Sequence, residues 1–114
     1  MTVHYLEIVT HDVDGVAALY EAMCGLSFGA PDADLGQARV AARDNGTFVG
    51  IRKPLADHED PIVRTYVAVD DLAQTLAAAE RAGATIALPA TPLGSHGTFA
   101  ILIHGDVQHG LWQR

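Results

Sequence analysis

The chain has 114 residues, of which 49% are hydrophobic and 18% are charged, a length that suits one domain and a composition that excludes intrinsic disorder. A net charge of −7 without Lys/Arg clusters makes nucleic acid and anionic membrane surfaces poor partners. We expect a cytoplasmic protein, because no signal-peptide pattern and no apolar run of about 20 residues is present and the single Cys24 cannot form an internal disulfide.

The first elements of the chain are a strand and a helix. Residues 3–9 alternate between two faces, which predicts the strand. Asp12 is placed to cap the helix, and Gly25 is placed to end it. Apolar residues at steps of three and four mark the buried face of this helix. Cys24 belongs to that face, so we expect a buried, unreactive thiol.

The rest of the first half predicts a loop and a β-hairpin. Residues 29–36 are rich in Gly, Pro and Asp, which is typical of a loop. Strands are predicted at 38–43 and 48–52, and the Asn-Gly pair at 45–46 predicts the turn between them, because both residue types tolerate a positive φ. Residues 54–61 are acidic and poor in apolar side chains, which indicates a linker.

The second half predicts the same kinds of element in the same order. A strand is predicted at 63–69, followed by a helix at 72–82 that Asp71 caps. After it come a short strand at 84–88, a loop at 89–97, and two strands at 98–103 and 108–113 that are joined by a turn. A shift of 59 residues places Asp12 on Asp71 and Glu21 on Glu80. This repetition predicts an internal duplication.

The duplication defines the expected domain organisation. We expect one domain over 1–114, with a first module at 1–53, a linker at 54–61 and a second module at 62–114. Neither half has enough strands to bury a sheet by itself, so the modules are expected to pack together.

Three stretches of the sequence carry a resemblance to a known superfamily. HYLEIVTHDVDGVAALYEAMCGL (4–26), VRTYVAVDDLAQTLAAAERAGATI (63–86) and GTFAILIHGDVQHGLWQ (97–113) resemble the vicinal oxygen chelate superfamily of glyoxalases, bleomycin-resistance proteins and extradiol dioxygenases. The resemblance implies an α+β fold of two paired β-α-β-β-β modules with curved, mostly antiparallel sheets enclosing a cavity. It also implies a homodimer, since small members usually associate.

The resemblance further implies where a metal would bind. Metal-dependent members carry a His or Gln in the first strand of each module and a Glu near each module's end. The matching positions here are Tyr5, Arg64, Gly50 and Gly110. Glycine offers no donor and an arginine repels a cation, so we expect no metal and no other cofactor. The GLWQ ending resembles a branch of the superfamily that often lacks the ligands.

The side chains that remain distinctive point to a small-molecule pocket. Aromatic rings supply apolar walls, and a few charged or polar groups fix the orientation of a ligand. The candidate ligand-binding residues, chosen by strand alternation and, for His96, by its place in a flexible loop, are Tyr5, Glu7, Phe48, Arg52, Arg64, Tyr66, His96 and Trp112. Two roles stay open for Arg64. It either pairs with Glu7, in which case Arg52 can still receive an anion, or it binds an anionic ligand through its own two-pronged guanidinium.

Two classes of function follow. The first is a metal-independent protein that binds a small organic ligand, with an anionic group as one option. The alternative is an enzyme of glyoxalase or dioxygenase type, using either a metal held by other histidines, such as His104 and His109, or acid–base chemistry at Glu7 and Tyr5.

His4 shares a strand face with apolar residues, so a packed neutral histidine is favoured over a metal ligand there. A ferredoxin-like dimeric barrel is disfavoured, because it has two strands, not three, between its helices.

Overall fold

The computed structural model describes all 114 residues and contains two α-helices and eight β-strands. In chain order these are β1 (Val3–Val9), α1 (Val13–Cys24), β2 (Pro31–Asp32), β3 (Ala38–Ala42), β4 (Phe48–Arg52), β5 (Ile62–Ala68), α2 (Leu72–Arg81), β6 (Thr85–Pro92), β7 (Thr98–His104) and β8 (Val107–Gln113). Single 3₁₀ turns lie at Ala33–Leu35 and Gly94–His96.

Both helices begin at the residues that the sequence predicts. The Asp12 carboxylate accepts a hydrogen bond from the Gly15 amide at 3.1 Å, and the Asp71 carboxylate accepts one from the Gln74 amide at 3.0 Å. These bonds satisfy amides that would otherwise have no partner in the first helical turn. Helix α1 ends at Gly25, whose φ of 68° is the left-handed conformation that glycine adopts without strain.

The chain divides into two compact units. One unit comprises Tyr5–Val63, and the other comprises Arg64–Arg114 together with Met1–His4. The first contains the strand order β2-β3-β4-β1, in which β1 and β4 are parallel and the other neighbours are antiparallel. The second contains the order β6-β7-β8-β5, with β5 and β8 parallel.

This arrangement confirms the predicted α+β fold of two β-α-β-β-β modules. Strands β5 and β8 and helix α2 begin 59 residues after β1, β4 and α1, respectively, which is the predicted shift. In each module the first strand pairs in parallel with the last, because the helix carries the chain back to the starting edge before the final strands form. The sequence predicts the repeated order of elements but does not predict this parallel pairing.

Each helix covers one face of its own sheet. In the first unit, Ile8, Val49 and Ile51 form a buried cluster with Ala17 of α1. In the second, Leu102 and Leu111 form a cluster with Leu72 and Leu76 of α2. Alternation along each strand therefore directs the intervening side chains to the face that lacks a helix, here called the open face of that unit. The candidate ligand-binding residues on the strands lie on these open faces.

Strand β6 and strand β2 differ from the predictions. The sequence predicts a strand at 84–88 followed by a loop, whereas β6 continues through Pro89 to Pro92. It is an edge strand, and its pairing with β7 is irregular, so a residue without an amide proton is tolerated there. The loop predicted at 29–36 likewise includes the short β2, which pairs with β3.

The hairpin turn and Cys24 also need correction. The turn at 45–46 forms, but only Gly46 has a positive φ, while the Asn45 side chain accepts from the Thr47 amide at 3.2 Å. Cys24 is exposed, not buried. The packed face of α1 consists of Val13, Val16, Ala17 and Tyr20, and the last turn, which holds Cys24, lies beyond it. Neither helix is long and apolar enough to cross a membrane.

Candidate functional site

The open face of the first unit carries four of the candidate residues. Parallel pairing of β1 and β4 places Tyr5 beside Phe48 and Glu7 beside Gly50. Arg52 lies two residues beyond Gly50 and so belongs to the same face. Tyr5, Glu7 and Arg52 are buried, and Phe48 is half-buried. The first unit therefore presents a phenol, a phenyl ring and a pair of opposite charges on neighbouring strands.

Arg52 contacts two carboxylates in this unit. Its Nε donates to Glu7 Oε2 at 3.0 Å, while Nη1 and Nη2 donate to the two oxygens of Glu59 at 2.8 and 2.9 Å. Burial opposes the charged guanidinium, but the hydrogen bonds and negative charges of Glu59 and Glu7 outweigh it and raise the pKa of Arg52. Arg52 is thus a permanent cation between two carboxylates. The sequence leaves Arg52 available to an anion, whereas in the structure its guanidinium donates to the carboxylates of Glu7 and Glu59.

The open face of the second unit is built around Arg64 and three aromatic rings. Arg64 is buried, and its Nε and Nη2 donate to Gln108 Oε1 at 2.9 and 2.6 Å, while Nη1 donates to Tyr66 Oη at 3.3 Å. The Tyr66 ring packs edge-on against both Trp112 and Phe99, with 5.8 Å between ring centroids in each pair. These contacts hold a guanidinium beside an aromatic surface.

Two further contacts orient Trp112. Its indole Nε1 donates to the backbone carbonyl of His96 at 3.0 Å. Its ring lies 5.3 Å from the His4 imidazole, centroid to centroid. His4 is buried, and burial, with a smaller contribution from the charge of Arg114, lowers the pKa of its imidazole. His96 therefore fixes Trp112 through its main chain, and His4 packs there in its neutral form.

The residues do not suit the metal that the resemblance associates with this fold. A β-carbon at Gly50 would overlap the hydroxyl and ring of Tyr5, and a β-carbon at Gly110 would overlap the Tyr66 ring. Tyrosine rings thus fill the space that a side chain from either glycine would need. The remaining position of the set in the second unit is Arg64, a cation. This donor set lacks the carboxylates and imidazoles that a divalent metal requires.

His104 and His109 lie on the β7–β8 hairpin, as the sequence predicts. The Nδ1 atom of His104 is 3.2 Å from the Gly83 carbonyl oxygen, and Nε2 of His109 is 3.2 Å from the His104 carbonyl oxygen. Both side chains are exposed. Each ring is oriented by a main-chain carbonyl, which is ordinary surface hydrogen bonding.

The structure brings the candidate residues into two groups and adds others. Tyr5, Glu7, Phe48 and Arg52 share the open face of the first unit, and Arg64, Tyr66 and Trp112 share that of the second. The contributors that the sequence did not indicate are Glu59, Phe99 and Gln108. Gln108 is two residues from Gly110 and four from Trp112, so alternation along β8 was sufficient to identify it. Glu59 had no such signal, because it lies in an irregular segment.

The first unit also contains two clefts away from its open face. One, of about 920 Å³, lies between the end of α1 and the β3–β4 hairpin, and its walls include Tyr20, Cys24 and Arg43. The other, of about 590 Å³, lies at the start of α1 and includes His11, Arg39 and Leu55. The exposed Cys24 thus belongs to a broad surface cleft.

Comparison with known proteins identifies the fold. No protein-family model matches the chain, and no curated protein matches its sequence. Among solved structures, a hypothetical protein from Bacillus halodurans has a TM-score of 0.76 at 12% identity, covering 99% of this chain and 94% of that one. Methylmalonyl-CoA epimerase from Mycobacterium tuberculosis has a TM-score of 0.72 at 16% identity, with coverages of 96% and 85%.

A third similar structure contains a ligand. It is a variant of Streptomyces coelicolor methylmalonyl-CoA epimerase in complex with 2-nitronate-propionyl-CoA, with a TM-score of 0.71 at 15% identity and coverages of 99% and 94%. The epimerases belong to the vicinal oxygen chelate superfamily. At these identities the comparisons show that the chain has the vicinal oxygen chelate fold, while its activity has to be argued from its own residues.

Proposed function

We propose that this protein binds a small organic ligand without a metal, in the manner of glyoxalase- and bleomycin-resistance-like proteins. The observation that carries the proposal is the open face of the second unit, where Arg64 lies beside the packed rings of Tyr66 and Trp112. A largely apolar wall with a few fixed polar groups is the usual composition of a ligand site.

Arg64 suggests the chemistry of the ligand. A guanidinium presents parallel N–H groups that match the two oxygens of a carboxylate, and it is always charged. Its contacts with Gln108 and Tyr66 hold it in a defined orientation. The Trp112 and Tyr66 rings supply area for an apolar or unsaturated portion. A compact organic acid or acyl compound is therefore the ligand class that this face suits.

The proposal covers the candidate residues of each unit separately. From the first unit we propose Tyr5, Glu7, Phe48 and Arg52, and from the second Arg64, Tyr66, His96 and Trp112. The backbone contact of His96 with Trp112 supports a positioning role for His96. The ligands named for similar structures support the choice, since those epimerases bind methylmalonyl-CoA and 2-nitronate-propionyl-CoA.

Catalysis is a second candidate, favoured by the epimerases among the similar structures. Glu7 and Tyr5 would supply acid–base groups, and Arg52 holds the Glu7 carboxylate in place. Epimerisation at a carbon beside a carbonyl exchanges a proton with solvent. A bound acyl compound that gains deuterium in heavy water only when the protein is present would support this candidate.

Native mass spectrometry tests the binding proposal. Protein released gently from cells should carry a small molecule, and the Arg64→Met variant should carry much less of it. Arg81→Met is the matched control, because Arg81 is exposed at the end of α2 and should not affect the adduct. Equal occupancy in the wild type and the Arg64 variant would contradict the assigned role of Arg64.

A further inference from the structure

The contact between Arg52 and Glu59 has the geometry of a ligand bound to a receptor. Two terminal nitrogens of one guanidinium donate to two oxygens of one carboxylate, at 2.8 and 2.9 Å. This two-pronged arrangement is how an arginine recognises a carboxylate. Arg52 itself is held independently, since Nε donates to Glu7 at 3.0 Å and Nη1 donates to the Lys53 carbonyl at 3.1 Å.

The two carboxylates on Arg52 belong to very different parts of the fold. Glu7 lies within β1, and its side chain is only 8% exposed. Glu59 lies in residues 53–61, here called the strap, and its side chain is 22% exposed. The strap has no helix or strand, and most of its residues are exposed, with Leu55 at 68%. Glu7 is thus fixed by the sheet, whereas Glu59 belongs to an irregular surface segment.

The strap is shaped around the Glu59 carboxylate. The Leu55 amide donates to Glu59 Oε1 at 2.6 Å, and the Glu59 amide donates to the Ala56 carbonyl at 3.0 Å. A single carboxylate therefore closes the strap on itself and attaches it to Arg52. Release of that carboxylate would free the segment. Local stability depends on buried apolar contacts, and most residues of the strap are exposed.

Electrostatics favour an exchange of one carboxylate for another. The Arg52 guanidinium already contacts two carboxylates, those of Glu7 and Glu59. An added anion is accommodated best if Glu59 leaves. The ligand also needs contacts of its own, and the ring of Phe48 on the same face of β4 offers them.

We propose that the terminal nitrogens of Arg52 are a receptor for the carboxylate of an organic ligand, which Glu59 occupies until the ligand displaces it together with the strap. The inference rests on the proposed function, and it names the ligand class and the regulation of the first-unit residues in that proposal. Because Glu59 occupies the receptor, the apparent affinity for the ligand equals the intrinsic affinity multiplied by the fraction of molecules in which the receptor is open. Removal of the Glu59 charge should therefore strengthen ligand binding.

The test is a titration of isotope-labelled protein with sodium propionate at constant ionic strength, observed by NMR at the Arg52 Nε–H. The Glu59→Gln variant should bind propionate about tenfold more tightly than the wild type, since the internal competitor is weakened. Asp60→Asn is the matched control, because it removes the same charge from the exposed part of the strap, and it should resemble the wild type. Propionamide, which has no charge, should not bind.

Hydrogen exchange supplies a second readout in the wild-type protein. Propionate should accelerate deuterium uptake in residues 53–61, because the Leu55 amide loses its Glu59 acceptor. This result is expected whether or not the Glu59 variant folds. Equal propionate affinity in Glu59→Gln and the wild type, unchanged exchange, or tighter binding of inorganic phosphate than of propionate would each overturn the inference.

Failure of this inference is distinguishable from failure of the proposed function. If ligands bind at Trp112 and depend on Arg64 while Glu59→Gln has no effect, the receptor role of Arg52 is wrong and the proposed function stands. If propionate displaces the strap but nothing binds at Trp112, the second-unit assignment is the one that fails.

Discussion

The phenol of Tyr5 lies directly over Gly50 on the neighbouring strand, so closely that even a β-carbon at position 50 would overlap it. The Tyr66 ring covers Gly110 in the same way in the second unit. In both units, a glycine provides room for a tyrosine ring at a position where metal-dependent members of the superfamily are expected to carry a ligand. The open faces are therefore aromatic where a metal site would be acidic.

The first prediction concerns this packing. Gly50→Ala should lower the free energy of unfolding by about 1–3 kcal/mol, because the buried Tyr5 ring has to move. Urea unfolding measures the effect. Gly29→Ala is the matched control, since a β-carbon there meets its nearest neighbour at 3.8 Å and should cost little. Tyr5→Leu combined with Gly50→Ala should lose less than the sum of the two single changes. Strict additivity would mean that the two residues are not coupled.

The second prediction concerns metals. Addition of zinc, nickel or manganese at modest concentration should leave the melting temperature unchanged, because a ligand raises it only by binding the native state. The positions matching the superfamily's ligands carry Tyr5, Gly50, Arg64 and Gly110, which are a poor donor set. Differential scanning calorimetry measures the effect. A saturable rise in melting temperature that disappears in Tyr5→Phe would contradict this reading.

The fold was largely predictable because it is encoded locally. Asp12 and Asp71 cap helices by forming hydrogen bonds within their own first turns, and strand alternation assigns Tyr5 and Glu7 to one face. The site was less predictable, because its hydrogen bonds join residues distant in sequence. Glu59 meets Arg52 through the path of an irregular segment, which no periodicity describes. Pro89 predicts the start of a loop, but it lies within β6, because an edge strand tolerates a proline.

The third prediction concerns pH. Burial lowers the pKa of His4 below its ordinary value of 6.5, so below that value the unfolded chain binds a proton more readily than the native one. The free energy of unfolding should therefore fall as the pH decreases through 6.5 and toward the lowered pKa of His4. Part of that fall should be absent in His4→Phe and retained in His58→Gln, which changes an exposed histidine. Identical pH profiles for His4→Phe and the wild type would refute the assignment.

The fourth prediction concerns assembly. We expect a homodimer, because small proteins with this fold commonly associate and exposed apolar side chains such as Leu19 and Met23 favour burial. Sedimentation equilibrium at micromolar concentration measures the mass. Particles of only 12.0 kDa, the mass of one chain, would show that the prediction is wrong.

The most direct test of ligand binding uses Trp112, the single tryptophan of the chain. Its fluorescence should change saturably on titration with at least one member of a panel of small organic acids and their acyl-CoA esters. Arg64→Met should weaken that binding about tenfold or more, the effect of a lost charged hydrogen bond, and Arg81→Met should leave it unchanged. A panel without any saturable change, or equal affinity in Arg64→Met and the wild type, would contradict a ligand site at Arg64 and Trp112.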